Sequence, residues 1–227
     1  MASLGSFLVV KEPDGEVYDA AEPFWQFFGR LPEYLGKDPV FLRIVIKVFL
    51  IGLSGLALPF YVIYAKESLG LSGGVAGYFI SAQTVGMVIG GMLWGYLGDT
   101  RGHGRTLGYV GIVQALAPVA ALLAALISGS AGRLGAMLAV YVFLGMGASG
   151  WQVGTNSILE VVPPADRTVY LALSNTLQIP LFLAPFVGGY LVMTGGYGFL
   201  FVLAAILPAL AQVGTIPKWT PNQSLSK

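Results

Sequence analysis

The sequence has no cysteine and one histidine, His103. Disulfides and thiolate metal sites are thereby excluded, and a lone imidazole leaves a metal centre almost nothing to bind through. Charge is also scarce. Asp, Glu, Lys and Arg make up 10% of the 227 residues, against about 25% in ordinary soluble domains. A formal net charge of +1 gives no global field, which argues against a nucleic-acid partner. No carboxylate pair, His cluster or Ser/His/Asp set falls near one depth of the apolar runs, so a membrane enzyme has little support. Glycine is plentiful, but phosphate-binding glycine loops need a strand feeding a helix, and that context is missing. No cofactor and no metal are implied.

What remains is apolar. Hydrophobic residues make up 56% of the chain, with a mean hydropathy of +0.76. Apolar runs fall at about 40–65, 75–98, 107–128, 134–158, 168–193 and 197–216, each near the roughly 20 residues that cross a 30 Å hydrocarbon core. Within a bilayer such runs must be helical, because unpaired backbone groups are too costly there. Pro59, Pro118, Pro180, Pro185 and Pro208 are kinks of a kind membrane helices tolerate. The sequence therefore predicts an all-α polytopic membrane protein with six transmembrane helices over 40–216. A cytoplasmic segment (1–39) precedes them and a short cytoplasmic tail (217–227) follows.

The first 39 residues do not read as a signal peptide, since the apolar run 7–10 is too short and five acidic residues follow it. Phe24, Phe28, Leu31 and Leu35 recur at helical spacing, which predicts an amphipathic helix at the headgroup level or on the domain's cytoplasmic face. Loop charges set the orientation. Lys11, Arg30, Lys37, Arg43, Arg101, Arg105, Arg167, Lys218 and Lys227 fall on one side, and only Lys66 and Arg133 on the other. The positive-inside rule then places both termini in the cytoplasm. Lys47, one turn after Arg43, is expected to snorkel to that interface.

A faint internal repeat accompanies the six runs. Val48-Phe-Leu50 recurs as Val142-Phe-Leu144, and Gly95-Tyr-Leu97 as Gly189-Tyr-Leu191, both at an offset of 94. At the same offset Gly86 faces Pro180 and Gly91 faces Pro185. A three-span repeat is odd-numbered, so its second copy inserts upside down, giving a 3+3 inverted repeat with helix breaks at corresponding places.

Neutral polar residues cluster inside the runs. Trp151, Gln152, Thr155, Asn156 and Ser157 lie in the fourth, and Ser174, Asn175, Thr176 and Gln178 in the fifth. Gln83 and Thr84 lie in the second, Tyr61 and Tyr64 in the first, and Gln114 in the third. Such side chains turn toward a cavity or bond between helices. The pairs Gly86/Gly90, Gly91/Gly95 and Gly150/Gly154 have small-xxx-small spacing for close helix contact. His103, in a basic loop, reads as a solvated residue.

Between the second and third runs stands Gly95-Tyr-Leu-Gly-Asp99-Thr-Arg101-Gly102-His-Gly104-Arg105. It resembles the loop signature of the major facilitator superfamily, Gly-x-Leu-x-Asp-Arg-x-Gly-Arg-Arg/Lys. Gly95, Leu97, Asp99 and Gly102 match, and Arg105 lies one place beyond the basic pair. Thr100 stands where the family has Arg, and His103 and Gly104 replace the basic pair. The resemblance implies secondary active transport of a small solute by alternating access, with this chain as one six-span half, the carboxy-terminal one. It implies a cytoplasmic gating loop of Gly95, Asp99, Arg101, Gly102 and Arg105, with Arg167 opposite. It places the first, second, fourth and fifth spans beside the solute pathway, making Tyr61, Gln83, Trp151, Gln152, Asn156, Asn175 and Gln178 the pathway candidates. A second six-helix half, from another copy or a separate chain, is the implied partner, in a bacterial inner membrane. The alternative is a truncated or accessory membrane protein without transport activity of its own. Asp99 is further expected to latch onto the start of the fifth span at Asp166-Arg167.

Overall fold

Asp38 opens the first membrane helix. Its carboxylate accepts hydrogen bonds from the backbone N–H of Val40 at 2.9 Å and Phe41 at 3.0 Å. Pro39 takes the first helical position, where a missing N–H costs nothing. Helix α1 (Pro39–Leu53) runs into a 3₁₀ turn, Ser54–Ala57, and resumes after Pro59 as α2 (Phe60–Glu67). This computed structural model describes residues 38–71 and 73–212, together with Gly36. The expected amphipathic helix and the tail at 217–227 lie outside the described residues.

Every further element among the described residues is helical. They are α3 (Ala76–Arg101), α4 (His103–Ala124), α5 (Ser130–Ser149), α6 (Trp151–Val161), α7 (Arg167–Leu177) and α8 (Ala184–Leu210). A 3₁₀ turn, Ile179–Leu183, joins α7 to α8. Among the described residues, five stretches are long and apolar enough to cross a membrane: Pro39–Glu67, Ala76–Arg101, His103–Ala124, Ser130–Val161 and Arg167–Leu210. The last has 44 residues. At 1.5 Å per residue that is about 66 Å, twice a hydrocarbon core of about 30 Å. It is interrupted at Gly196, whose φ of 74° and ψ of 178° are not helical. The fifth and sixth apolar runs thus form one helical stretch bent at a glycine. Gly102, with φ 83°, makes the corresponding break between α3 and α4. Both glycines hold a left-handed conformation that a Cβ would strain.

The breaks differ from those expected in one respect. Gly86 and Gly91 do not interrupt α3, which runs unbroken. The interruptions fall instead at Ser54–Pro59, at Gly150 between α5 and α6, and around Pro180. Gly86 serves close packing: a Cβ there would overlap the Val142 carbonyl oxygen, and one on Gly145 would overlap that of Gln83. Backbones of α3 and α5 therefore touch without intervening side chains, as small residues allow in membrane helices. Trp94 Nε1 secures the crossing by donating to the Met146 carbonyl at 2.8 Å. In the same way, a Cβ on Gly188 of α8 would overlap the Leu56 carbonyl oxygen.

The core includes Tyr61, Phe79, Met137, Val140, Leu200 and Phe201. Tyr61 stacks on Phe201 at 4.9 Å between ring centroids, and Phe79 on Tyr141 at 4.4 Å. Lys47 is 9% exposed, on the buried stripe of α1 that also carries Ile44, rather than reaching outward. The outer surface is apolar: Met92, Phe182 and Met193 are 74%, 81% and 87% exposed. In water such a surface would drive association. Against lipid it is compatible with a stable fold.

Candidate functional site

The helix breaks converge. A cavity of about 250 Å³ is lined by Ile51, Gly52, Gly55 and Leu58 at the α1–α2 break, and by Gly147, Gly150 and Trp151 at the α5–α6 break. Ser174, Asn175 and Gln178, at the end of α7, complete the third break. Gln83 of α3, Gln114 of α4 and Thr155 of α6 also reach it. A broken helix exposes backbone polar groups, which at membrane depth are tolerated where they line a cavity or are buried in protein. Gln178 Nε2 lies within hydrogen-bond reach of the Ser174 carbonyl (3.2 Å) and Oγ (3.3 Å). The lining is otherwise aliphatic, and no ionisable side chain contributes to it among the described residues.

A second cavity, of about 350 Å³, lies toward the Gly102 end of α3 and is lined by Trp94, Gly95, His103, Trp151, Gln152 and Asn156, among others. Here His103 is not the solvated loop residue that its sequence context suggests. Its backbone N–H, the first of α4, donates to both oxygens of Glu160 at 3.1 and 3.2 Å. Its Nδ1 also meets Glu160 Oε1, and Asn156 Nδ2 lies 3.2 Å from Nε2. One tautomer satisfies this set: Nδ1–H donates to Glu160, and Nε2 accepts from Asn156. Glu160, at the end of α6, thereby supplies a carboxylate to the free N–H groups of α4, where the helix dipole favours negative charge. At Gly196 a similar link forms, with Tyr197 Oη donating to Glu67 Oε2 at 2.6 Å.

The sequence candidates separate into groups. Gln83, Trp151, Asn175 and Gln178 share the first cavity, while Gln152 and Asn156 join Trp151 in the second. Tyr61 lines neither of these and is buried against Phe201. In the loop, Arg101 Nη1 donates to Tyr109 Oη at 3.1 Å, and Arg105 is exposed. The expected latch between Asp99 and Arg167 is not formed. Asp99 is exposed and, among the described residues, has no ion-pair or hydrogen-bond partner, while Arg167 Nη2 donates to the Leu159 carbonyl at 3.1 Å. The Leu159 carbonyl at the end of α6, eight residues back along the chain, holds the guanidinium instead. The link of His103 to Glu160 is not visible in the sequence, since the partners lie 57 residues apart. The matched glycines at 102 and 196 were the available signal.

Apolar helices of spanning length, three of them broken around a cavity that carries a few polar side chains, define a polytopic membrane protein with an internal site. A family model for the Major Facilitator Superfamily matches residues 43–223, and the chain belongs to that family of transporters. No curated protein and no solved structure gives a significant match.

Proposed function

We propose that the chain is one half of a secondary active transporter that moves a small solute by alternating access. Six spans make up this half, as a 3+3 inverted repeat. The observation that carries the reading is the cavity at the meeting of three broken helices, where transporters of repeat architecture bind solutes. The 94-residue offset supports the repeat: it relates the positive-φ glycines 102 and 196, and it relates Leu56 to Gly150 at the first and second breaks. Gly52 and Leu56, counterparts of Met146 and Gly150, meet Leu181 and Gly188, counterparts of Met87 and Trp94. Gln83, Trp151, Asn175 and Gln178 form the pathway wall, with Gln152 and Asn156 toward the cytoplasmic mouth and Tyr61 as a packing residue behind it. Gly95, Asp99, Arg101, Gly102, Arg105 and Arg167 form the gating face, held by the His103–Glu160 contact rather than by Asp99. Loop charges support a cytoplasmic location for that face and for both termini.

Because the native chain has no cysteine, a single Thr155→Cys substitution reports on the cavity. In right-side-out and in inside-out vesicles an impermeant maleimide is expected to label it from both faces. Labelling from one face only would favour an accessory membrane protein, and labelling from neither would remove the cavity from any aqueous pathway.

A further inference from the structure

Gln114 sits on α4, outside the four spans that border the pathway in the resemblance, yet its side chain reaches the first cavity. Its Nε2 donates to Ser54 Oγ at 2.8 Å, and Ser54 Oγ donates to the Ile51 carbonyl at 2.7 Å. A hydroxyl carries one proton. With that proton committed to Ile51, Ser54 can only accept, so the amide nitrogen must face it and the amide oxygen must point away. Gln114 Oε1 is buried and has no hydrogen-bond partner among the described residues. Gly147 provides its space, because a Cβ there would overlap Oε1. A clamp therefore orients an acceptor and leaves it without a partner, covered at the cavity wall in this state. Such an orphan is costly in a folded protein and calls for an explanation wherever it is retained.

The rest of the wall sets the character of what could satisfy it. Val48, Leu144, Ile158 and Leu171 are aliphatic, and a charged solute would lose its hydration there without a counter-ion. We infer that the cavity takes an uncharged solute with an apolar body and at least one N–H or O–H donor, and that Gln114 Oε1 selects the donor. The inference rests on reading this cavity as a solute site and names what the site recognises.

Tritiated benzamide, bound to the full chain in lipid nanodiscs, tests it, with unlabelled N,N-dimethylbenzamide and benzoate as competitors. The three share one body; the second lacks the donor and the third carries charge. Saturable benzamide binding is expected, with each competitor at least about tenfold weaker than benzamide, the scale of one unmatched buried hydrogen bond. Gln114→Met removes the acceptor at similar length. It is expected to lose about tenfold in benzamide affinity and its preference over the dimethyl compound, with a melting temperature at or above the parent's. Gly147→Ala keeps the amide but displaces its oxygen, and is expected to lose affinity likewise. Absence of saturable benzamide binding, equal competition by the dimethyl compound, or unchanged affinity in both variants would overturn the inference. So would a Gln114→Met chain that melts lower yet binds benzamide as before, because the amide would then be structural glue. Binding is measured without flux. A chain that binds benzamide through Gln114 but labels from one face at Thr155→Cys keeps this inference and loses the transport reading.

Discussion

His103 shows how one residue's role depends on a partner far along the chain. Read in order, it stands among Gly and Arg residues in a polar turn, and solvation is the natural expectation. Folding brings Glu160 to it from 57 residues away, and the His103 side chain is 18% exposed beside a Glu160 that is 40% exposed. We expect His103→Ala to lower stability by about 0.5–1.5 kcal/mol, the worth of a partly solvated hydrogen-bonded contact. Glu160→Ala should cost more, because the backbone N–H of His103 also loses its acceptor, and Glu160→Gln should recover part of the difference. Melting temperatures of the three variants in one detergent check the order; Glu160→Gln melting below Glu160→Ala would contradict it. Other residues were more legible. Gln83, Trp151, Asn175 and Gln178 stood out as amides and an indole in apolar runs, and three helical segments, α3, α6 and the end of α7, bring them to one cavity. Gln114 was visible as a polar residue, but its span argued against it. Only the hydroxyl of Ser54 and the bare backbone of Gly147 explain its inward turn.

At the scale of elements, glycine does two different things that composition does not separate. Gly102 and Gly196 break helices at positive φ, whereas Gly86 and Gly145 bring α3 and α5 into backbone contact. Small-xxx-small spacing pointed correctly to Gly86 and Gly90 as packing residues, and a Cβ on Gly90 would crowd Met146. The same spacing said nothing useful of Gly91 and Gly95, where an added Cβ would meet no atom within 4 Å. Spacing identifies a possible face, but the facing helix decides whether it is used. Gly86→Leu should therefore push α3 from α5 at a cost of about 1–3 kcal/mol, whereas Gly91→Ala should be near neutral. Thermal melts of the two variants separate them, and equal melting temperatures would mean that the α3–α5 crossing is not held by backbone contact.

For the whole molecule, the all-helical membrane class was legible from hydropathy alone, because spanning length and backbone satisfaction leave no other choice. The gap expected between the runs 168–193 and 197–216 contains the Gly196 break, although both runs lie within one apolar stretch, Arg167–Leu210. If the chain is one half of a transporter, its least-covered surface is where assembly is expected. Only 17% of the spanning windows of Ala76–Arg101 and Arg167–Leu210 is buried, against 39% for Pro39–Glu67 and His103–Ala124. These least-covered stretches are the ones a second half would meet, so two chains per complex are expected in sparse bilayers by single-molecule photobleaching. Single-step bleaching of a chain that still labels from both faces would contradict that.

The proposed half-transporter rests on an inverted repeat, which requires the Gly102 and Gly196 turns to lie on opposite membrane faces. Thr100 and Gly198, both exposed beside those turns, can each be replaced by cysteine in the cysteine-free chain. With an impermeant maleimide in sealed vesicles of known orientation, Thr100→Cys is expected to react only from the cytoplasmic face and Gly198→Cys only from the other. Reaction of both from the same face, or no reaction of Gly198→Cys from either, would contradict the inverted repeat and the half-transporter built on it.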